Sequence, residues 1–203
     1  KDLDLDTAGN IYISGQYSGG STTISPFTLT NGGLTDTFIA KYNNGGGNAI
    51  WAKKISGTCS EYPTGQCVDQ STGAVYVACK NVENNVSNVG GCFSFSSQIN
   101  VTDKKFYVVK YSTNGDVNWA VAPTLANWQS QSNGISTDGN KRVIVSGNLI
   151  STGTFGTITV SGAGSDGFVA KIEVEPSFNA YQICAGSSAV ITPIGPSGLS
   201  FNW

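Results

Sequence analysis

Thirteen carboxylates and five cysteines are the side chains here that could act as acids, nucleophiles or ligands, and no histidine accompanies them. Without an imidazole, Ser-His-Asp and Cys-His arrangements and His-bearing catalytic zinc sites are excluded within this stretch. Glycoside cleavage asks for two facing carboxylates, and no spacing among the acids, from Asp2 to Glu175, singles out a pair. Asp4-Leu5-Asp6-Thr7-Ala8-Gly9-Asn10 carries part of a calcium loop, with Asp4 and Asp6 as its ligands. Calcium takes about six or more oxygens, and Ala8 stands at the third acidic position, so a strand end followed by a turn accounts for the same residues. No catalytic residue and no cofactor is expected from these patterns.

Cys59 and Cys67 flank a short loop, and Cys79 and Cys92 a longer one. Four cysteines join in three ways, of which the local pairing Cys59–Cys67 and Cys79–Cys92 is the simplest. Free buried thiols are the other reading. Paired cysteines favour an oxidising, extracellular location. Cys184 is left over, and its partner is expected beyond Trp203. Among exposed contacts the best candidate is Trp128, which stands in the polar run 127–133 and outside any repeat.

These residues are carried on a recurring frame. Gly9-Asn10-Ile11-Tyr12-Ile13-Ser14-Gly15 returns at Gly73–Cys79 and at Val143–Gly147. Asp36-Thr37-Phe38-Ile39-Ala40-Lys41 returns at Lys105–Tyr111 and at Asp166–Lys171, and the strand with Trp51 returns at Trp119. Matched residues stand between 61 and 69 positions apart, a drifting period that indicates tandem supersecondary units. Each unit reads as four strands. The first are Leu3–Asp6, Cys67–Asp69 and Gly134–Ser136; the second are Ile11–Tyr17, Val75–Lys80 and Val143–Leu149. The third are Phe38–Tyr42, Phe106–Tyr111 and Phe168–Ile172; the fourth are Ile50–Ile55 and Val117–Val121. Glycine-bearing polar turns join first to second strands, and a long loop with a Phe (Phe27, Phe93 and Phe95, Phe155) joins second to third. No amphipathic 3.6-residue period of useful length appears. A net charge of −2 offers no footprint for nucleic acid, and no apolar run reaches the ~18 residues a membrane span needs.

Four antiparallel strands per unit, repeated, is the logic of β-propeller blades. The motif set resembles the SBBP-type bacterial β-propeller repeat, at Asp6, Gly9, Asn10, Tyr12 and Gly15, at Asp36, Phe38, Ala40 and Lys41, at Trp51, and again at Asp166, Phe168, Ala170 and Lys171. The middle unit departs, with Cys79 for Gly15 and Lys105 for Asp36. The expected fold is all-β: a partial propeller over 1–174, in units of about 1–57, 58–125 and 126–174. Since propellers close with about 4–8 blades, further blades of the same polypeptide are expected. The third unit lacks a Trp strand after Ile172, and the resemblance implies that an outer strand from upstream of Lys1 completes it. Residues 175–203, with Cys184 and the strand ending at Trp203, resemble the opening of an immunoglobulin-like module. The resemblance implies a large secreted or cell-surface bacterial protein acting as a scaffold or adhesion module. Its partner would be a protein or glycan on a surface, with no membrane insertion. A carbohydrate-active protein with its active residues elsewhere, and a filament or stalk subunit, are the alternatives. Recurrence of Tyr12, Phe38, Trp51, Tyr76, Trp119 and Phe168 favours inter-unit core over sugar-stacking platforms. Recurrence of Asp36…Lys41 likewise favours a structural role over a ligand rim.

Overall fold

The computed structural model describes residues 1–82, 106–127, 129–138, 142–172 and 178–181. Among these there is no helix. In chain order the strands are β1 (Asp2–Leu5), β2 (Ile11–Ser18), β3 (Ser21–Ile24), β4 (Phe27–Thr30), β5 (Thr35–Tyr42) and β6 (Ala49–Ile55), then β7 (Ser60–Val68), β8 (Val75–Val82), β9 (Phe106–Tyr111) and β10 (Val117–Val121). The last group is β11 (Thr124–Leu125), β12 (Gln131–Thr137), β13 (Val143–Phe155), β14 (Ile158–Ile172) and β15 (Phe178–Tyr181).

Pairing resolves these into three antiparallel four-stranded units, β1-β2-β5-β6, β7-β8-β9-β10 and β12-β13-β14-β15, with β11 at the far end of β13. A single parallel bridge, Thr35 opposite Ser60, ties the first two units into one eight-stranded sheet. The propeller-like all-β expectation therefore holds in its strands and their order. One part of it does not. The outer position of the third unit is filled by β15, which pairs with Val169–Ile172, so no strand from upstream of Lys1 is needed there. The immunoglobulin-like reading of the chain end falls on residues that, apart from 178–181, lie outside the described residues.

Side chains alternate across a strand with a period of two, so each sheet has two faces and the units stack through them. One core lies between units one and two and joins Tyr12, Ile39, Trp51 and Ile55 to Val75, Val77, Cys79, Tyr107, Val109 and Tyr111. A second lies between units two and three and joins Tyr76, Ala78, Phe106 and Val108 to Val145, Phe155, Phe168 and Ala170. Unit two is covered on both faces. That explains why Val75-Tyr76-Val77-Ala78-Cys79 and Phe106-Tyr107-Val108-Val109 are unbroken apolar runs, fully buried throughout, rather than alternating ones. Of the recurring aromatics, Tyr12, Trp51, Tyr76, Trp119 and Phe168 join these cores as expected, whereas Phe38 packs half-buried on the outer face of unit one. Burying each stabilises by about 2–3 kcal/mol over leaving it in water.

Two short signals of the repeat have local explanations. Asp6, Asp69 and Asp138 each follow a first strand, and each bonds across the connection to the second strand. Their N–H groups donate to Asn10, Ala74 and Arg142 carbonyls, and their carboxylates accept from the turn itself. Gly15 and Gly147 lie directly across from Phe38 and Phe168. A Cβ on either glycine would come within 2.6 Å of the facing ring, so the ring takes up the space the glycine leaves.

Candidate functional site

The calcium candidates spend their oxygens on different donors. Asp6 accepts from Ala8 and Asn10 backbone N–H groups, from Asn10 Nδ2 at 2.8 Å and from Tyr12 Oη at 3.1 Å. Burial works to raise its carboxyl, but these donors outweigh it and hold it below the usual range. Lys41 Nζ lies 4.0 Å from the same carboxylate and 5.0 Å from the Tyr12 ring centroid. Asp4 instead joins two strand edges: one oxygen takes Leu5 N–H at 2.8 Å and the other takes Val68 N–H of unit two at 2.7 Å. Asp2 repeats this with Leu3 and Gln66. The two carboxylates thus clasp the inner strands of adjacent units. Lys41 and Asp36 sit five positions apart on β5, hence on opposite faces, and do not pair with each other.

The cysteines require a correction. Cys67 and Cys79 are free and buried, so neither Cys59–Cys67 nor Cys79–Cys92 forms. The strand register shows why. Cys67 faces the core against unit three and Cys79 the core against unit one, each acting as a small apolar side chain. Burial pushes the Cys79 thiol up to about 12. Cys59 is not a free thiol. Trp128, Cys92 and Cys184 lie outside the described residues.

A carboxylate pair that no spacing announced is assembled at the junction of units one and two. Asp36 on β5 and Glu61 on β7 flank the Thr35–Ser60 bridge, and both are fully buried. Asp36 Oδ2 accepts from Gly32 N–H at 2.8 Å and Tyr17 Oη at 3.3 Å. Asp36 Oδ1 and both Glu61 oxygens lack a hydrogen bond of ordinary geometry, and the nearest help to Glu61 is the Gly57 N–H. Burial, then the charge of Asp36 and a hydrogen bond to it, push the Glu61 carboxyl up to about 8, with the Gly57 N–H opposing. At neutral pH a proton on Glu61 therefore supplies the donor that Asp36 lacks, the arrangement of two carboxylates that cannot both ionise. No solvent-exposed surface is left on either group, so the pair offers nothing to a substrate.

An accessible polar cleft lies where β2, β7, β8 and β12 meet, so that all three units contribute to it. With a volume of about 560 Å³, it is lined by Gln16 of β2, Tyr62 and Thr64 of β7, Lys80 of β8, and Gln131, Ser132 and Asn133 of β12, among others. Its polar groups are mutually positioned: Lys80 Nζ donates to Gln131 Oε1 at 2.7 Å, Gln131 Nε2 to Asn133 Oδ1 at 3.1 Å, and the Thr64 and Ser132 hydroxyls meet. One cation, one phenol, amides and hydroxyls, with no carboxylate in the lining, suit hydrogen bonding to a neutral or anionic polar ligand. Sequence reasoning missed this site because no motif marks it. The available signal was the repeat itself, which aligns Gln16, Lys80 and Asn148 as polar positions at the end of each second strand.

No family model matches the chain. Over 185 residues, 86% of the chain, it is 30% identical to an uncharacterised WD repeat-containing protein of Acanthamoeba polyphaga mimivirus. The chain spans only 13% of that protein's length. The similarity agrees with a β-propeller-like repeat.

Proposed function

We propose that this chain is a non-enzymatic interaction module, a run of SBBP-type propeller blades that acts as a scaffold or adhesion element of a larger protein. The observation that supports it most is the division of labour among side chains. Five of the six recurring aromatics, all but Phe38, are consumed between units, and the one buried carboxylate pair among the described residues is sealed. The cleft shared by the three units is lined by hydrogen-bonding groups and holds no carboxylate. Similarity to a WD repeat-containing protein supports a repeat module. Extracellular placement enters this proposal through the resemblance; Cys67 and Cys79 are free thiols, whereas Cys59 is not. Within this reading the cleft favours a glycan or a polar protein segment as partner.

The test is a pull-down and a glycan array with the intact polypeptide, beside the Tyr62→Ala and Gln131→Ala variants. The expected result is a bound glycan or protein whose retention drops at least about tenfold in one variant, the loss of one or two hydrogen bonds. Absence of any binding partner together with turnover of a substrate would overturn the proposal.

A further inference from the structure

Asp36 and Glu61 flank the bridge that joins units one and two, and both side chains are fully buried. The carboxylates of Asp2, Asp4 and Asp6 are satisfied by N–H donors. Asp36 Oδ1 and both Glu61 oxygens, by contrast, have no hydrogen bond of ordinary geometry. Two carboxylates in one buried site need a proton or a counter-charge. The titratable groups that face Glu61 are Asp36 on β5, Tyr17 on β2, Cys79 on β8 and Tyr107 on β9, and none of them is a cation. One shared proton joins two of the three oxygens and leaves the third to the Gly57 N–H alone. A cation meets all three.

We infer that the Asp36–Glu61 pair is a binding site for one calcium ion, which takes the place of the shared proton and clamps unit one to unit two. The ligand chemistry selects the ion. Carboxylate oxygens suit a hard cation, and burial keeps the neighbouring Cys79 thiol protonated, so it offers no soft ligand. Magnesium usually keeps several waters, whereas calcium accepts a set of protein oxygens. A site with no exposed surface therefore favours calcium. Two carboxylates do not fill a calcium shell of about six oxygens. The buried Asn81 amide, opposite Glu61 across β7 and β8, and the backbone carbonyls of loops 31–34 and 56–59 are the further oxygens at hand. These loops meet beside the pair: Gly32 N–H donates to Asp36 Oδ2 at 2.8 Å, and a Cβ on Gly33 would clash with the Gly57 carbonyl oxygen.

Calcium itself is the probe, added to the intact polypeptide after chelator treatment and followed by equilibrium dialysis and thermal unfolding. The expected result at pH 8.5 is that Glu61→Gln binds one calcium fewer than the parent and loses a calcium-dependent rise in unfolding midpoint, while Asp6→Asn retains both. Because the ion displaces a proton, affinity for it should fall about tenfold per pH unit below about pH 8. That slope is read on the unmutated protein, so it decides the matter even where Glu61→Gln fails to fold. Equal calcium content in the parent and Glu61→Gln overturns the inference, as does an absence of bound calcium or an affinity unchanged from pH 8 to pH 6. Loss of the ion in Asp6→Asn but not in Glu61→Gln places it in the first turn of unit one and overturns the inference equally.

Discussion

Glu61 is the residue whose chemistry is most sensitive to conditions. Its folded-state carboxyl titrates near 8 against an ordinary 4.5, so between those values the folded chain holds a proton that the unfolded chain has lost. Stability contributed by this group is complete below about pH 4.5 and lost as pH rises through 8. The groups facing it from neighbouring strands, Asp36, Tyr17, Tyr107 and Cys79, offer no cation to relieve it on ionisation. Thermal unfolding followed from pH 5 to pH 8.5 should therefore show a falling midpoint, on the order of 3 kcal/mol in all after discounting for water penetration. Glu61→Gln keeps the donor and should flatten that limb. Asp6 acts with the opposite sign: its depressed carboxyl adds stability that is lost as pH falls through the acid range. Packing makes a second demand at this scale. Gly147→Val would drive a Cβ to 2.1 Å from the Gln131 carbonyl oxygen as well as into the Phe168 ring, so chemical denaturation should report a loss of about 2–4 kcal/mol.

At the scale of elements, the two tryptophan strands look alike in sequence and differ in the fold. Trp51 of β6 lies between Tyr12 and Tyr111, with ring centroids 6.2 and 6.4 Å away, and its Nε1 donates to the Thr113 carbonyl of unit two at 2.9 Å. Trp119 of β10 packs on Tyr76 at 5.8 Å, but its Nε1 meets no acceptor. Trp51→Phe should thus cost about 1–2 kcal/mol more than Trp119→Phe, a difference that a pair of urea titrations measures directly. The repeat made the strands and their order legible, because period-two alternation and turn glycines such as Gly9 and Gly73, at φ of 79° and 67°, are local properties. What joins the units was not legible. The Asp2 and Asp4 clasp, the Asp36–Glu61 pair and the cleft all depend on which strand edges meet across units, and spacing along the chain does not encode that. The cysteines misled for the same reason: spacing along the chain does not show that the strand register turns Cys67 into the core against unit three and Cys79 into the core against unit one.

For the molecule as a whole, stacked units that touch only their neighbours behave as a nearly one-dimensional array, with stability set by unit and interface terms. Unit two has an interface on each side, unit three one closed inner interface, and unit one one closed and one partly open face. Opening β8 or β9 requires breaking both cores, whereas β1 and the β3–β4 hairpin open at the cost of few buried contacts. Native-state hydrogen exchange should rank the chain accordingly. Amides of Val75–Cys79 and Phe106–Val109 should exchange at the global unfolding rate, those of β1 and β3 orders of magnitude faster, and β13 and β14 in between. If a further unit covers the outer face of unit one in the intact polypeptide, β1 and the hairpin should move up that ranking while β8 and β9 hold their places. Uniform protection across all three units in a chain with that face open would mean that the sheet joined at Thr35 and Ser60 opens as a single block, and that the units are not the cooperative elements of this fold.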